Sequence, residues 1–173
     1  MAVLPVLTYP DKRLKLISKE VDPLSRETAQ IIEDLVDTMN SSPGCIGIAA
    51  PQVNIHKRIV VVDVSRNPRL NSKLGLTVIV NPVITKQSGK SVAKEGCLSL
   101  PELIATVRRS KKAIIEGFGV DGKPVVVESA GFDARALLHE IDHLDGILFL
   151  DRVSSIKSDV FRRGRHIKEA SDD

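Results

Sequence analysis

The chain is poor in aromatic residues, with one tyrosine, four phenylalanines and no tryptophan. That leaves no stacking platform of the kind that binds single-stranded nucleic acid. Long apolar runs are missing too. None nears the roughly 18 residues needed to cross a bilayer, and the opening Met1-Ala2-Val3-Leu4-Pro5 has neither the basic nor the apolar region of a signal peptide. A cytoplasmic location with no membrane contact is therefore expected. Nor is there an excess of one charge: 25 basic residues stand against 22 acidic ones, a net +3 too mild to argue for DNA as a partner. Cysteine is scarce. Cys45 and Cys97 allow one disulfide at most, and in a reducing compartment a thiolate ligand or an inert buried thiol is the expected state of each. Internal repeats, low-complexity tracts and long linkers are also lacking.

What remains is the composition of a globular protein, 42% hydrophobic and 27% charged over 173 residues, which is enough for one cored domain spanning 1–173. From Ser25 to about Asn40, Ile31, Ile32, Leu35, Val36 and Met39 recur at helical spacing, with Glu33, Asp34 and Asp37 opposite. Ser41-Ser42-Pro43-Gly44 ends that helix, and a glycine-rich apolar loop or extended strand follows as far as Gln52. β-branched runs at Arg58 to Val64, Leu76 to Val80, Ala113 to Gly119 and Pro124 to Ser129 predict strands, the last two joined as a hairpin through Asp121-Gly122. Phe132 to Leu144 returns to helical periodicity, with Gly146 placed as its cap. Ile156, Val160 and Ile167 suggest a third helix over Ser154 to Lys168. The expected class is α+β, mostly antiparallel sheets around a central helix, with one helix toward each end of the chain.

The central helix carries the chemistry. His139-Glu140-Ile141-Asp142-His143 has the H-E-x-x-H form, and a four-residue spacing puts both imidazoles on one helix face, with Glu140 beside them as a candidate base. The bland alternative is two ordinary helix histidines. A catalytic metal site commonly needs a third protein ligand. Downstream, Asp145 and Asp151 fit no familiar spacing; upstream, Cys97 in Glu95-Gly96-Cys97-Leu98-Ser99 offers a thiolate, although a cysteine taken alone is more often a small buried hydrophobe.

Gly44-Cys45-Ile46-Gly47-Ile48-Ala49-Ala50-Pro51-Gln52, Glu95 to Ser99, and His139-Glu140-Ile141-Asp142-His143-Leu144-Asp145-Gly146 together resemble, in order and separation, the three signature motifs of the peptide deformylase family. Leu7-Thr8-Tyr9-Pro10-Asp11 resembles its usual start. The resemblance implies removal of the formyl group from the N-terminal formylmethionine of new polypeptides, with release of formate. It implies Cys97, His139 and His143 as ligands of one divalent ion, Fe(2+) in the cell with Zn(2+) or Ni(2+) as substitutes after purification. Glu140 becomes the general acid and base, and the Gln52 amide and Leu98 backbone N–H become oxyanion donors. Ile46 and Gly47 become the edge where the substrate pairs as an added strand. An apolar methionine pocket including Ile141 or Leu138 is expected.

The basic run Arg152, Lys157, Arg162, Arg163, Arg165 and Lys168 reads as a solvated helix face, or as a contact with the ribosome from which the substrates emerge. Two positions depart from the commonest family pattern. Cys45 stands where a glycine often does, which would strain any left-handed backbone there, and Leu138 replaces a common glutamine, removing a hydrogen bond next to the first histidine. Two other readings remain at this point: an H-E-x-x-H metallopeptidase, and a deformylase-like protein of weak activity.

Overall fold

The computed structural model describes residues 2–164. Among these residues eight strands form two antiparallel sheets. The larger has the order β1-β2-β3-β6-β7 and the smaller the order β4-β5-β8. The strands run β1 Gly47–Ala49, β2 Ile59–Val62, β3 Thr77–Ser88, β4 Ser91–Gly96, β5 Leu103–Arg109, β6 Lys112–Phe118, β7 Pro124–Ala130 and β8 Val160–Arg162. Three α-helices accompany them among the described residues, α1 Arg26–Ser41, α2 Gly131–Leu144 and the single turn α3 Ile156–Asp159.

The four residues of β2 show how the core is divided. All are buried, and because side chains alternate across a strand, Val60 and Val62 join the cluster around Leu137, Ile141 and Leu144 of α2. Ile59 and Val61 instead join the cluster around Ile31, Leu35 and Met39 of α1. The large sheet is thus packed between two helices. Ser25 caps α1, its hydroxyl accepting from the Thr28 N–H at 3.1 Å. The buried positions Ile31, Ile32, Leu35 and Met39 form the stripe that the helical spacing predicts.

Helix α2 is buried on nearly every side but not by the same chemistry. Ala134, Leu137, Leu138, Ile141 and Leu144 pack on the large sheet. Arg135, His139 and Asp142 face the small sheet, where they meet Glu95 of β4 and Arg109 of β5. The helix ends at Gly146, whose φ of 69° is the left-handed conformation that glycine adopts without penalty. An added Cβ there would collide with the Lys15 backbone.

The Asp121-Gly122 turn joins β6 to β7 as expected. Strand β3 runs well beyond Val80, through Pro82 to Ser88, tolerating register shifts between Val80 and Val83 and between Ile84 and Lys86. The C-terminal helix is one turn, shorter than Ser154 to Lys168, because the chain passes at Val160 into β8 and pairs with β5. Arg165 to Lys168 lie outside the described residues.

Candidate active site

Strand β4 delivers Cys97 just past its end, and α2 delivers His139, Glu140 and His143. The Cys97 Sγ and one ring nitrogen from each histidine all lie within 4.8 Å of one another, and all three residues are buried. Cys97 Sγ stands 3.3 Å from His143 Nε2. His139 Nδ1 pairs with Glu95 Oε2 at 2.8 Å, which leaves its Nε2 for the cluster. Both cysteines are free and buried.

This donor set suits a divalent ion. One thiolate and two imidazoles meet at one point, and a carboxylate oxygen, Glu140 Oε2, is buried with no hydrogen-bond partner among the described residues. The surroundings also favour positive charge there. Burial alone would lower the His139 pKa, but the Cys97 and Glu95 contacts outweigh it and hold the ring well above its ordinary value. His143 moves the other way, pushed well below by burial and by the neighbouring His139 and Arg109 charges, as suits a neutral ligand. Burial pushes the Glu140 carboxyl up to about 7.

Gln52 is held from both ends. Its Oε1 accepts from the Ala49 N–H at 2.9 Å, which fixes the amide orientation because a backbone N–H can only donate. Its Nε2 therefore points to Cys97 Sγ at 3.4 Å and Ser99 Oγ at 3.2 Å. The Leu98 N–H donates to no backbone carbonyl among the described residues. On the opposite lip, β1 is the outer strand of its sheet. The Asp63 N–H donates to the Ile46 carbonyl at 2.8 Å, so Ile46 turns its backbone groups toward β2 and the alternate residue Gly47 turns its own outward. An added Cβ at Gly47 would stand 2.7 Å from Glu140 Oε1.

Together these residues line a cleft of about 220 Å³ between segments 43–47 and 96–98, with Gln52, His139, Glu140 and Arg163. Two roomier recesses, about 670 and 600 Å³, contain none of the candidate residues, so volume alone does not locate the chemistry. Every residue expected from the sequence to hold metal, move protons or stabilise the oxyanion is at this cleft or touches one that is. Ile141 and Leu138 do not line it. Both are buried in the α2 core cluster, and the apolar walls of the cleft come from Ile46 and Leu98.

The two departures find local explanations. Gly44 takes the left-handed φ, 74°, while Cys45 does not have a positive φ and its thiol donates to the Gly47 carbonyl at 3.1 Å. Leu138 packs into the apolar cluster of α2 on one side and borders a small recess lined by Arg109, Asp142 and Arg152 on the other.

The buried ion cluster behind the histidines was not singled out by sequence reasoning. Glu95 accepts from Arg109 Nε at 2.5 Å and Nη2 at 3.0 Å, from Arg135 Nη1 at 2.7 Å, and pairs with His139. Burial opposes its ionisation, but His139 and Arg109 hold its pKa well below the ordinary carboxylate range. Asp142, inside the H-E-x-x-H run, accepts from Arg109 Nη1 at 2.8 Å and from Arg152 at 2.7 and 3.0 Å. The visible signal was a glutamate and an aspartate inside two motifs, with Arg135 in an apolar stretch of the helix.

An α+β fold whose central helix brings an H-E-x-x-H pair to a cysteine from a neighbouring strand defines a mononuclear metal-dependent hydrolase. The family model for polypeptide deformylase matches residues 3–159. The chain is 41% identical over 163 residues to a peptide deformylase of Thermodesulfovibrio yellowstonii, covering 94% of this chain and 96% of that one. It is 39% identical over 173 residues to one of Syntrophobacter fumaroxidans, covering 99% of each. Among solved structures it resembles a Met-Ala-Ser-bound class I type b peptide deformylase from Acinetobacter baumannii, with TM-score 0.82, 36% identity and coverage of 88% and 99%. The chain belongs to the polypeptide deformylase family. It is accordingly a metal-dependent hydrolase that removes the N-formyl group from new polypeptides.

Proposed function

We propose that deformylation takes place in this cleft, with Cys97, His139 and His143 holding one divalent ion and Glu140 moving the proton. The single observation that carries the reading is the buried, unpartnered Glu140 Oε2 beside a cluster of three ligand atoms. When bound, the ion would supply Lewis acidity, lowering the pKa of a coordinated water and polarising the formyl carbonyl. Glu140, pushed up to about 7 by burial, takes a proton readily near neutral pH and returns it to the departing amine, so one carboxylate serves both halves of the reaction.

Two donors of this chain face the developing oxyanion. The Gln52 Nε2 is aimed by its Oε1 anchor, and the Leu98 N–H has no competing backbone acceptor. Gly47 offers the outward backbone edge to which an extended substrate adds as a strand, next to Ile46, with no Cβ to intrude on Glu140. Formylmethionyl nascent chains fit such an open, edge-lined cleft. Met-Ala-Ser, the peptide bound to the Acinetobacter relative, is what formyl-Met-Ala-Ser becomes once the formyl group is gone.

Thiolate and imidazole suit iron, zinc and nickel alike. Ferrous iron is our proposal for the native ion, with zinc or nickel filling the site after aerobic purification. A cytoplasmic location beside the ribosome is part of this proposal, and the exposed Lys157 and Arg162 of the basic C-terminal segment would contact it there. The experiment that separates this reading from an endopeptidase compares two substrates by mass spectrometry. Formyl-Met-Ala-Ser should lose only its formyl group, with formate released in equal amount, while a longer N-acetylated peptide stays intact. Internal cleavage of the acetylated peptide, with no formate from the first, would support the endopeptidase.

A further inference from the structure

The described chain ends with a cation standing in the cleft. Arg163 follows β8 directly. Its N–H donates to the Glu102 carbonyl at 2.8 Å, and the preceding residue, Arg162, pairs with Leu103 of β5. The backbone at 163 is therefore tied to the small sheet. Side chains two residues apart on a strand share a face, so Phe161 and Arg163 point the same way, and so do Lys94 and Gly96 on β4. The first pair shows the reach across β5: Lys94 Nζ lies 5.0 Å from the centroid of the Phe161 ring. At the second pair there is no side chain on β4, and the Arg163 guanidinium occupies the space. A Cβ on Gly96 would collide with Nη2 and lie 3.4 Å from Cζ.

Arg163 thereby lines the same cleft as Gln52, Cys97 and Glu140. It differs from the other arginines around the site. Arg109, Arg135 and Arg152 are each committed to Glu95 or Asp142. Arg163 is exposed, and among the described residues no carboxylate pairs with it. A guanidinium with no carboxylate partner among the described residues thus stands beside Gly96, one residue before Cys97, on the lining of the cleft. Five N–H donors in a planar fork match a carboxylate in geometry as well as charge.

We propose that Arg163 is a specificity-determining residue that selects substrates carrying a carboxylate in the residues just after the formylmethionine. This rests on the deformylase reading of the cleft. In a chain still attached to the ribosome the carboxylate comes from an aspartate or glutamate side chain; in a free short peptide the terminal carboxylate offers the same chemistry. The two sources are separated by amidating the C-terminus.

The test measures kcat and KM for formate release at low ionic strength, where exposed charges are least screened. The substrates are formyl-Met-Ala-Glu-amide, formyl-Met-Ala-Gln-amide and formyl-Met-Ala-Lys-amide, with formyl-Met-Glu-Ala-amide as a second position for the charge and formyl-Met-Ala-Gln as the free acid. Wild type should favour a glutamate peptide over the glutamine amide by about two- to fivefold in kcat/KM, mostly through KM, the size expected of a solvent-exposed ion pair. Arg163→Ala should bring that ratio to about one, Arg163→Lys should keep part of it, and Arg163→Glu should reverse it so that the lysine peptide is preferred. A structural role alone would lower all substrates together and would not invert the order. Equal kcat/KM for both glutamate peptides and the glutamine amide in wild type overturns the proposal, as does a preference that survives in Arg163→Ala. A preference for the free acid alone assigns the contact to a terminal carboxylate and overturns the side-chain selection. Absence of formate from the glutamine amide in metal-loaded wild type would instead count against the deformylase reading itself.

Discussion

Glu140 rests against the bare Cα of Gly47, so closely that a methyl group there would stand 2.7 Å from Oε1, 3.0 Å from Cγ and 3.1 Å from Cδ. The edge strand and the carboxylate proposed to move the proton are thus fitted to each other. Gly47 is not in the left-handed region, so an alanine would be tolerated by the backbone and met most closely by Glu140. Gly47→Ala is expected to leave folding and metal content intact while lowering kcat by about 10- to 100-fold, the scale of a misplaced catalytic group. Steady-state rates beside metal analysis check this, and wild-type kcat in the variant would show that the contact does not matter.

The hydrogen bond between His139 and Glu95 joins the buried ion cluster to the candidate metal ligands. Glu95→Gln keeps the shape and one acceptor but removes the charge that orients the imidazole. Metal affinity should fall by roughly 10- to 100-fold, measured by competition with a chelator. Glu95→Ala should do more, because Arg109 and Arg135 would be left buried without a partner. Unfolding in urea should show a loss of about 3–5 kcal/mol.

In the proposed mechanism Gln52 acts through its donor end. Gln52→Ala should lower kcat by roughly 10²- to 10³-fold with little change in KM. Gln52→Glu is the sharper variant, since its oxygen can still accept from the Ala49 N–H while the donor to the oxyanion is lost. A kcat near wild type in that variant would remove Gln52 from the mechanism.

Burial pushes the Cys45 thiol up to about 11. A thiol with a raised pKa stays almost wholly protonated, and so unreactive, at pH values well below it. Site-resolved alkylation of the native protein with iodoacetamide at pH 8 should leave Cys45 unmodified, while the urea-unfolded chain is labelled at once. Labelling of native Cys45 at the rate of a free cysteine would contradict this placement.

Much of this arrangement can be read in the sequence because local rules agree with the tertiary result. The H-E-x-x-H spacing puts His139 and His143 on one face of any helix, and Ser25 with the Ile31 to Met39 stripe defines α1. Strands β4 and β5 are harder to see. Lys94 and Glu95 on one, Arg108 and Arg109 on the other, interrupt their apolar pattern, since Glu95 and Arg109 are buried against each other and not against hydrocarbon. Pro82 hides the length of β3, which passes it with shifted register. Arg163 gives no local signal at all. In the basic run it looks like one more solvated cation, and only the pairing of β8 with β5 carries it to the cleft.

The most direct measurement is formate release from formyl-Met-Ala-Ser by anaerobically purified protein, wild type beside Glu140→Ala, with metal determined on the same samples. Near one ion per chain in both, with formate from the wild type alone, is the predicted result: the three ligands hold the ion without Glu140, and the proton does not move without it. Formate from Glu140→Ala at a rate close to wild type, or a metal-replete wild type that releases none, would contradict the account.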